Sequence, residues 1–141
     1  MKRTITTIAA AFIMMTSFSA FAGNKLNPLK NMAVKNVVVS YVEATTLGND
    51  LLNKHLFAKN FAYENQRNGD KFGRKEYSNF LKANKGLKYN CSTSYALLTE
   101  TAEACTAMAT MKFASFTRVD LITLSKSQDG WKVSKVVTTY P

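Results

Sequence analysis

Arg118 and Asp120 are the two residues whose types and spacing most clearly allow chemistry. They lie two positions apart in an apolar stretch that predicts a β-strand, so both side chains point to the same face. An aspartate held inside an apolar cavity can act as a general base that moves a proton next to a carbonyl. A neighbouring arginine favours the charged carboxylate and suits a structural ion pair or an anion clamp better. Asp120 is therefore a candidate catalytic base, a ligand contact or half of a structural pair.

Several aromatic residues and the single histidine could contribute donors to the same cavity. A tyrosine beside a carboxylic acid can hold an enolate, although buried tyrosines are also ordinary core material. His55 lies on one helix face with two leucines and could shuttle a proton or simply be a hydrogen-bonded helix residue. Trp131 directly follows a turn and could stack on a ligand or join the sheet to a helix. The predicted ligand contacts are Tyr41, His55, Tyr63, Tyr95, Arg118, Asp120 and Trp131, while Tyr77 is a further phenol donor.

Other kinds of site have no support in the sequence. No G-x-S-x-G turn precedes a helix, and neither the phosphate-loop pattern nor the dinucleotide glycine fingerprint occurs. Paired histidines and a C-x-x-C motif are missing too, so we expect no metal and no cofactor. Cys91 and Cys105 would lie ~20 Å apart on neighbouring strands, against ~5.5 Å for bridged Cα atoms. Buried thiols or an intermolecular contact are the alternatives to a disulfide.

Residues 1–22 have the composition of a secretion signal. Lys2 and Arg3 precede a short apolar run, and small residues at Ala20 and Ala22 suit cleavage after Ala22. We therefore expect an exported protein, periplasmic or secreted. Removing 22 of the 141 residues leaves 119, enough for one domain at 23–141. No later apolar segment approaches the ~20 residues of a transmembrane helix.

The mature chain is strongly basic. Its net charge falls only from +10 to +8 when Lys2 and Arg3 leave, and nine of the remaining 17 Lys and Arg residues lie between Lys54 and Lys88. This concentration predicts a positive surface that attracts anionic ligands. The cations do not alternate with aromatic residues as they do in single-strand binding grooves, so we expect no nucleic acid partner.

The order of elements predicts an α+β domain. A helix is expected over 27–46, started by Asn27 and Pro28 and ended near Gly48, with a short second helix after Asp50 that includes Phe57. A small hairpin over 61–72 turns at Asn68-Gly69, and a third helix covers 73–84. Four long strands follow at 89–99, 103–113, 116–126 and 131–140. Short connections between them predict an antiparallel meander covered by the helices on one face.

With these elements in this order, the chain resembles the nuclear transport factor 2-like superfamily, and within it the polyketide-cyclase-like and lumazine-binding branch. The segments that carry the resemblance are YVEA at 41–44, LGND at 47–50, GRKEY at 73–77 with FL at 80–81, VDLITL at 119–124 and DGWKV at 129–133. It implies a cone in which three helices and a curved sheet enclose a pocket. It implies no single reaction, because this fold carries many functions. The histidine of a His-Pro-Asp turn found in many relatives is replaced here by Ala58-Lys59-Asn60.

The sequence therefore favours an exported, non-catalytic domain that binds a small apolar or anionic molecule in an apolar cone-shaped pocket. The strand face formed by Cys105, Ala107, Ala109, Met111 and Phe113 could line that pocket, or its small side chains could admit a helix closely. Two other functions stay open. The first is a cofactor-independent isomerase, dehydratase or cyclase with Asp120 as base. The second is a homodimeric interaction module that pairs through the outer sheet face, with Val119, Leu121, Val136 and Tyr140 exposed on it.

Overall fold

The computed structural model describes residues 27–141, so the predicted signal segment and its cleavage site lie outside the described residues. Three helices are present in this part of the chain: α1 (Val34–Thr46), α2 (Asn53–Leu56) and α3 (Arg74–Ala83). The strands are β1 (Phe57–Asn65), β2 (Lys71–Gly73), β3 (Ser92–Glu100), β4 (Ala104–Lys112), β5 (Thr117–Ser127) and β6 (Gly130–Thr139). None of the helices in residues 27–141 has the length and apolar character needed to cross a membrane.

The six strands form one curved, mostly antiparallel sheet in the order β2-β1-β6-β5-β4-β3. Strands β3 to β6 are the predicted meander, and β1 with β2 is the predicted hairpin. The hairpin joins the meander through β1, which runs parallel to β6. Helix α1 packs on β6 and β4, and α3 packs on β1 and β2, all from one side. The predicted α+β architecture is confirmed.

Helix α1 begins later than the sequence predicts. Asn27 does not cap a helix: its Oδ1 accepts from the Leu29 N–H at 2.8 Å, and its Nδ2 donates to the Asp129 carbonyl at 2.9 Å. These bonds close a local turn and attach it to the β5–β6 connection. Gly130, the first residue of β6 after that connection, has φ +94°, and a Cβ there would lie 2.6 Å from the Lys30 carbonyl oxygen. The helix therefore starts only at Val34, after this anchored segment.

Helix α2 is one turn long, and the chain becomes extended at Phe57, although the sequence predicts Phe57 within the helix. Its side chain is almost fully buried and makes an edge-to-face contact with Tyr77, at 5.7 Å between ring centroids. Burial of this ring between the sheet and α3 outweighs continuation of a four-residue helix. Strand β1 is accordingly four residues longer at its start than the predicted strand at 61–64.

The core lies between the helices and the inner face of the sheet. Cys105, Ala107, Ala109 and Met111 on β4 are almost completely buried. Helix α1 packs against this strand. Of the two interpretations of the small-residue face, the structure favours the close approach of a helix.

A β-bulge at Ser134 changes which side of β6 faces the core. Leu124 pairs with Val133 and Thr123 pairs with Lys135, so Ser134 is the extra residue. Val136 consequently points inward and is fully buried. The prediction that Val136 is exposed on the outer face is wrong, because simple alternation does not hold across the bulge.

Both cysteines are free. Cys105 pairs with Glu100 at the turn end of the β3–β4 hairpin. Cys91 comes directly before Ser92, which starts β3 at the opposite end and pairs with Lys112. The two residues therefore lie near opposite ends of the strand pair. This arrangement excludes an intrachain disulfide, in agreement with the distance expected from the sequence.

Candidate functional site

Asp120 lies at the centre of a buried polar cluster. Its Oδ1 accepts from Arg118 Nε at 2.9 Å and from Thr138 Oγ1 at 2.7 Å. Its Oδ2 accepts from Arg118 Nη2 at 2.9 Å and from the Tyr41 hydroxyl at 2.7 Å. A carboxylate offers about four acceptor positions, and in this structure four donors use them. The Asp120 carboxylate itself has no exposed surface.

The sheet and α1 together explain this arrangement. Arg118 and Asp120 share the inner face of β5 because strand side chains alternate. Thr138 is the register partner of Asp120 on β6, which brings its hydroxyl directly opposite the carboxylate. Ala109 is the register partner on β4, and its small side chain leaves room for Tyr41 to reach in from α1.

Two further tyrosines extend the cluster. The Tyr77 hydroxyl lies 3.1 Å from the Tyr41 hydroxyl, and because Tyr41 donates to Asp120, Tyr77 donates to Tyr41. The Tyr63 hydroxyl donates to Thr138 Oγ1 at 2.8 Å. The Tyr63 and Tyr77 rings also stack, with centroids 4.6 Å apart. Every hydroxyl in the cluster therefore points towards the same carboxylate, directly or through one intermediate.

Neutral hydroxyl donors and one cationic donor surround the Asp120 carboxylate. Burial, and after it the charge of Asp120, raises the pKa of the Tyr41 hydroxyl well above its usual range. Burial and then Asp120 likewise raise the pKa of Tyr77. Burial alone would lower the pKa of the Arg118 guanidinium, but the adjacent carboxylate outweighs it and raises that pKa. Both tyrosines stay protonated and donate, and Arg118 stays charged.

This geometry does not suit general base catalysis. A base needs a free lone pair within hydrogen-bond reach of the substrate proton. All the acceptor positions of Asp120 are in use, and Tyr41 and Tyr77 pack above it without exposed surface. The arrangement is that of a structural ion pair, one of the three roles that the sequence left open.

The structure brings Tyr41, Tyr63, Arg118 and Asp120 together but not the other predicted ligand contacts. His55 is half-buried on α2, where burial, followed by the charges of Lys54 and Lys132, lowers its pKa. Trp131 is buried at the other end of β6, with Lys126 Nζ 5.9 Å from its ring centroid. Tyr95 lies on β3, half-buried against the core. These three side chains form no common site with Asp120.

Sequence reasoning missed Thr138 as a partner of Asp120. Alternation from Val133 puts Thr138 on the outer face, and only the bulge at Ser134 turns it inward. A signal for the bulge does exist, because unbroken alternation would bury the charged side chain of Lys135. A lysine at a predicted core position indicates a change of face.

Glu43 is a second buried acid, and its position in the sequence does not indicate a site. It lies on α1 with 3% of its surface exposed, and its Oε1 has no hydrogen-bond partner among the described residues. Burial raises its pKa to about 7. Glu43 therefore titrates near neutral pH without belonging to the Asp120 cluster.

A cleft of about 490 Å³ lies on the outside of the domain, between α2 and α3. Its walls carry four cations and one acid, and Asp120 and its partners are not among them. The lining residues are Asp50, Leu51, Asn53, Lys54, Arg74, Lys75, Ser78, Asn79 and Lys82. We call this the basic cleft. It belongs to the cation-rich stretch that the sequence predicts as a positive surface.

No family model and no curated protein sequence matches the chain. Solved structures do match. A nuclear transport factor 2-like protein of unknown function from Silicibacter pomeroyi is 14% identical, with a TM-score of 0.63 over 77% of this chain and 93% of that one. A provisionally assigned ketosteroid isomerase from Shewanella frigidimarina is 20% identical, with a TM-score of 0.61 over 77% and 96%.

A third match, a nuclear transport factor 2-like protein of unknown function from Methylobacillus flagellatus, is 16% identical, with a TM-score of 0.60 over 79% and 97%. At these identities the likeness concerns the fold and not the activity. The chain has the nuclear transport factor 2-like fold, as the resemblance predicted.

Proposed function

We propose that the protein is an exported, non-catalytic domain that binds a small molecule. One observation carries the proposal: the carboxylate at the centre of the cone accepts four hydrogen bonds and has no exposed surface. The group best placed for acid–base chemistry is thereby committed to holding β5, β6 and α1 together. An isomerase, dehydratase or cyclase using Asp120 would have to break at least one of these four hydrogen bonds before each turnover.

The binding surface in this proposal lies on the outside of the cone. Around Asp120 the interior is filled by aromatic rings, so the apolar cone pocket expected from the sequence has no room there. The basic cleft offers both apolar side-chain stems and cations, which suits a small anionic molecule. The composition of residues 1–22 supports export.

Native mass spectrometry of protein purified from its own exported fraction tests this function. We expect a chain that begins at Gly23 and carries a small molecule lost on denaturation. As a catalytic control, enolisable ketones are incubated with the wild-type protein and with Asp120→Asn. Turnover by wild type that the variant lacks would overturn the proposal, as would a ligand-free mass in every preparation.

A homodimeric interaction module is the second candidate, favoured by one row of side chains on the outer sheet face. Ala96, Met108, Leu121 and Val137 are successive register partners across β3, β4, β5 and β6. Leu121 is 40% exposed. Val119, as predicted, lies on the same face. An apolar row of this kind can pair with a second copy of itself.

A further inference from the structure

We infer that the basic cleft binds a hydroxylated phosphate ester. Cations of α2 and α3 hold the phosphate, and a hydroxyl of the ligand donates a hydrogen bond to Asn53 Oδ1. The inference rests on the proposed binding function and adds the site and the chemical class of the ligand.

One face of α3 belongs to the core and the other to the cleft. Tyr77 and Leu81 are buried. Arg74, Ser78 and Lys82 follow one another at intervals of four, so they stand one above the other on successive turns and line the cleft. Lys75 and Asn79 form a second row at the same spacing. The cleft face therefore contributes three cations and two polar side chains that can donate hydrogen bonds.

The charge of the cleft is not neutralised from within. Lys54 of α2 adds a fourth cation opposite α3, and Asp50 is the single acid in the lining. Asp50 is already 3.8 Å from Lys85 Nζ, which lies outside the lining. Among the ion pairs of residues 27–141, none involves the four cleft cations. Four cations against one shared carboxylate leave an excess of positive charge that a phosphate group would balance.

Asn53 supplies an independent indication of a ligand. It lies in the lining of the cleft, is only 9% exposed, and its Oδ1 is buried without a hydrogen-bond partner among the described residues. A buried acceptor left unpaired costs free energy, and such groups are rare in folded proteins. Rotation of the Asn53 amide about its last side-chain torsion, which is soft, would turn Oδ1 to a donor of a molecule bound in the cleft. Because Oδ1 can only accept, that donor is a hydroxyl of the ligand and not one of its anionic oxygens.

The remaining wall limits the shape of the ligand. Leu51 lines the cleft and is 56% exposed, and the lysine stems add further apolar surface. A volume of about 490 Å³ accommodates a small organic molecule. Phosphate, hydroxyl and a short carbon chain occur together both in soluble polyol phosphates and in glycerol-bearing phospholipid headgroups.

Titration of the purified mature protein with glycerol 3-phosphate, followed by calorimetry, tests the site. Glycerol, which lacks the phosphate, is not expected to bind. The double variant Arg74→Gln/Lys82→Gln should bind glycerol 3-phosphate about tenfold or more weakly. The charge-matched control Lys112→Gln/Lys135→Gln changes two exposed lysines outside the cleft and should bind within about twofold of wild type.

Asn53→Ala separates a ligand-binding role from a structural one. Removing an unpaired acceptor should weaken binding of glycerol 3-phosphate by about three- to tenfold without lowering the melting temperature. A lower melting temperature with unchanged binding would show that Asn53 serves the fold, and would overturn its assignment to the ligand.

Vesicles distinguish the two sources of the ester. Cosedimentation with phosphatidylglycerol vesicles but not phosphatidylcholine vesicles, with displacement by glycerol 3-phosphate, would assign a lipid headgroup. Binding of glycerol 3-phosphate without cosedimentation would assign a soluble ester. The inference is overturned if Arg74→Gln/Lys82→Gln binds both probes as tightly as wild type, or if the control weakens equally. In either case a molecule retained in native mass spectrometry would leave the binding function standing, with its site elsewhere.

Discussion

Arg118 holds both oxygens of Asp120 with one edge of its guanidinium: Nε lies 2.9 Å from Oδ1 and Nη2 lies 2.9 Å from Oδ2. The two residues lie two positions apart on β5, so strand alternation places both side chains on the same face. Such bidentate pairs are stronger and more directional than single hydrogen bonds. The Asp120 carboxylate thereby joins β5, β6 and α1 through Arg118, Thr138 and Tyr41.

Tyr41→Phe should destabilise the protein more than Tyr77→Phe. The Tyr41 hydroxyl donates to a carboxylate and accepts from Tyr77, whereas Tyr77 is the outer member of the chain. We expect a loss of about 2–3 kcal/mol for Tyr41→Phe and about 1 kcal/mol for Tyr77→Phe. Urea unfolding followed by circular dichroism measures both. Equal losses would show that the hydroxyl chain does not run towards Asp120.

Gly130→Ala should detach the segment before α1. The new Cβ would lie 2.6 Å from the Lys30 carbonyl oxygen, and the residue would also have to keep φ near +94°. Gly69→Ala is the matched control, because Gly69 has φ +78° with open space around it. We expect Gly130→Ala to lose at least ~1 kcal/mol more than Gly69→Ala, with faster amide exchange around Leu29. Similar losses would mean that this close approach contributes little.

Glu43 should contribute a loss of stability between pH 4.5 and about 7. Its folded-state pKa is raised from 4.5 to about 7 by burial, so the folded protein keeps a proton that the unfolded chain has lost. The associated stability is present below pH 4.5 and is lost as the pH rises to 7, by up to ~3 kcal/mol. Glu43→Gln should flatten this part of the curve. The unfolding free energy of both proteins is measured in urea at several pH values in this range. If it changes equally with pH in both, Glu43 is not the group responsible.

Leu121→Lys tests the homodimer candidate. A charge in the centre of the outer row should shift a dimer to monomer in analytical ultracentrifugation without changing the free energy of unfolding of the monomer by more than ~0.5 kcal/mol. Leu87→Lys introduces the same charge at a leucine that is 53% exposed but lies away from the sheet, and should leave the association unchanged. A wild-type monomer at all concentrations would remove this candidate.

The sequence predicted the elements of this fold because hydrophobic periodicity and turn residues act locally. Alternation in 119–124 correctly placed Val119 and Leu121 outward and Asp120 inward. The errors arise where long-range contacts decide. Asn27 does not cap a helix because its side chain bonds to the β5–β6 turn. Val136 points inward because of a bulge that depends on the pairing of β6 with β5.

The sequence predicts which residue types form the candidate site, but not which of these residues contact one another. Spacing alone paired Arg118 with Asp120, and the concentration of lysines indicated a positive surface. Spacing could not show that Tyr41 and Thr138 would complete the coordination of Asp120, because the two lie on different elements far apart in the sequence. His55 and Trp131 were grouped with them by residue type, which carries no information about position.

The unfolding free energy of Asp120→Asn tests the central claim most directly. The variant keeps the shape of the side chain but leaves the buried Arg118 without a counter-charge. We predict a loss of about 3–5 kcal/mol in urea, recovered in part by Arg118→Met in the same chain. Asp129 also forms an ion pair, with Lys132, but its side chain is 54% exposed. Asp129→Asn should therefore lose less than ~1 kcal/mol of unfolding free energy. Wild-type stability of Asp120→Asn would contradict the account, because the carboxylate would then be free for another role.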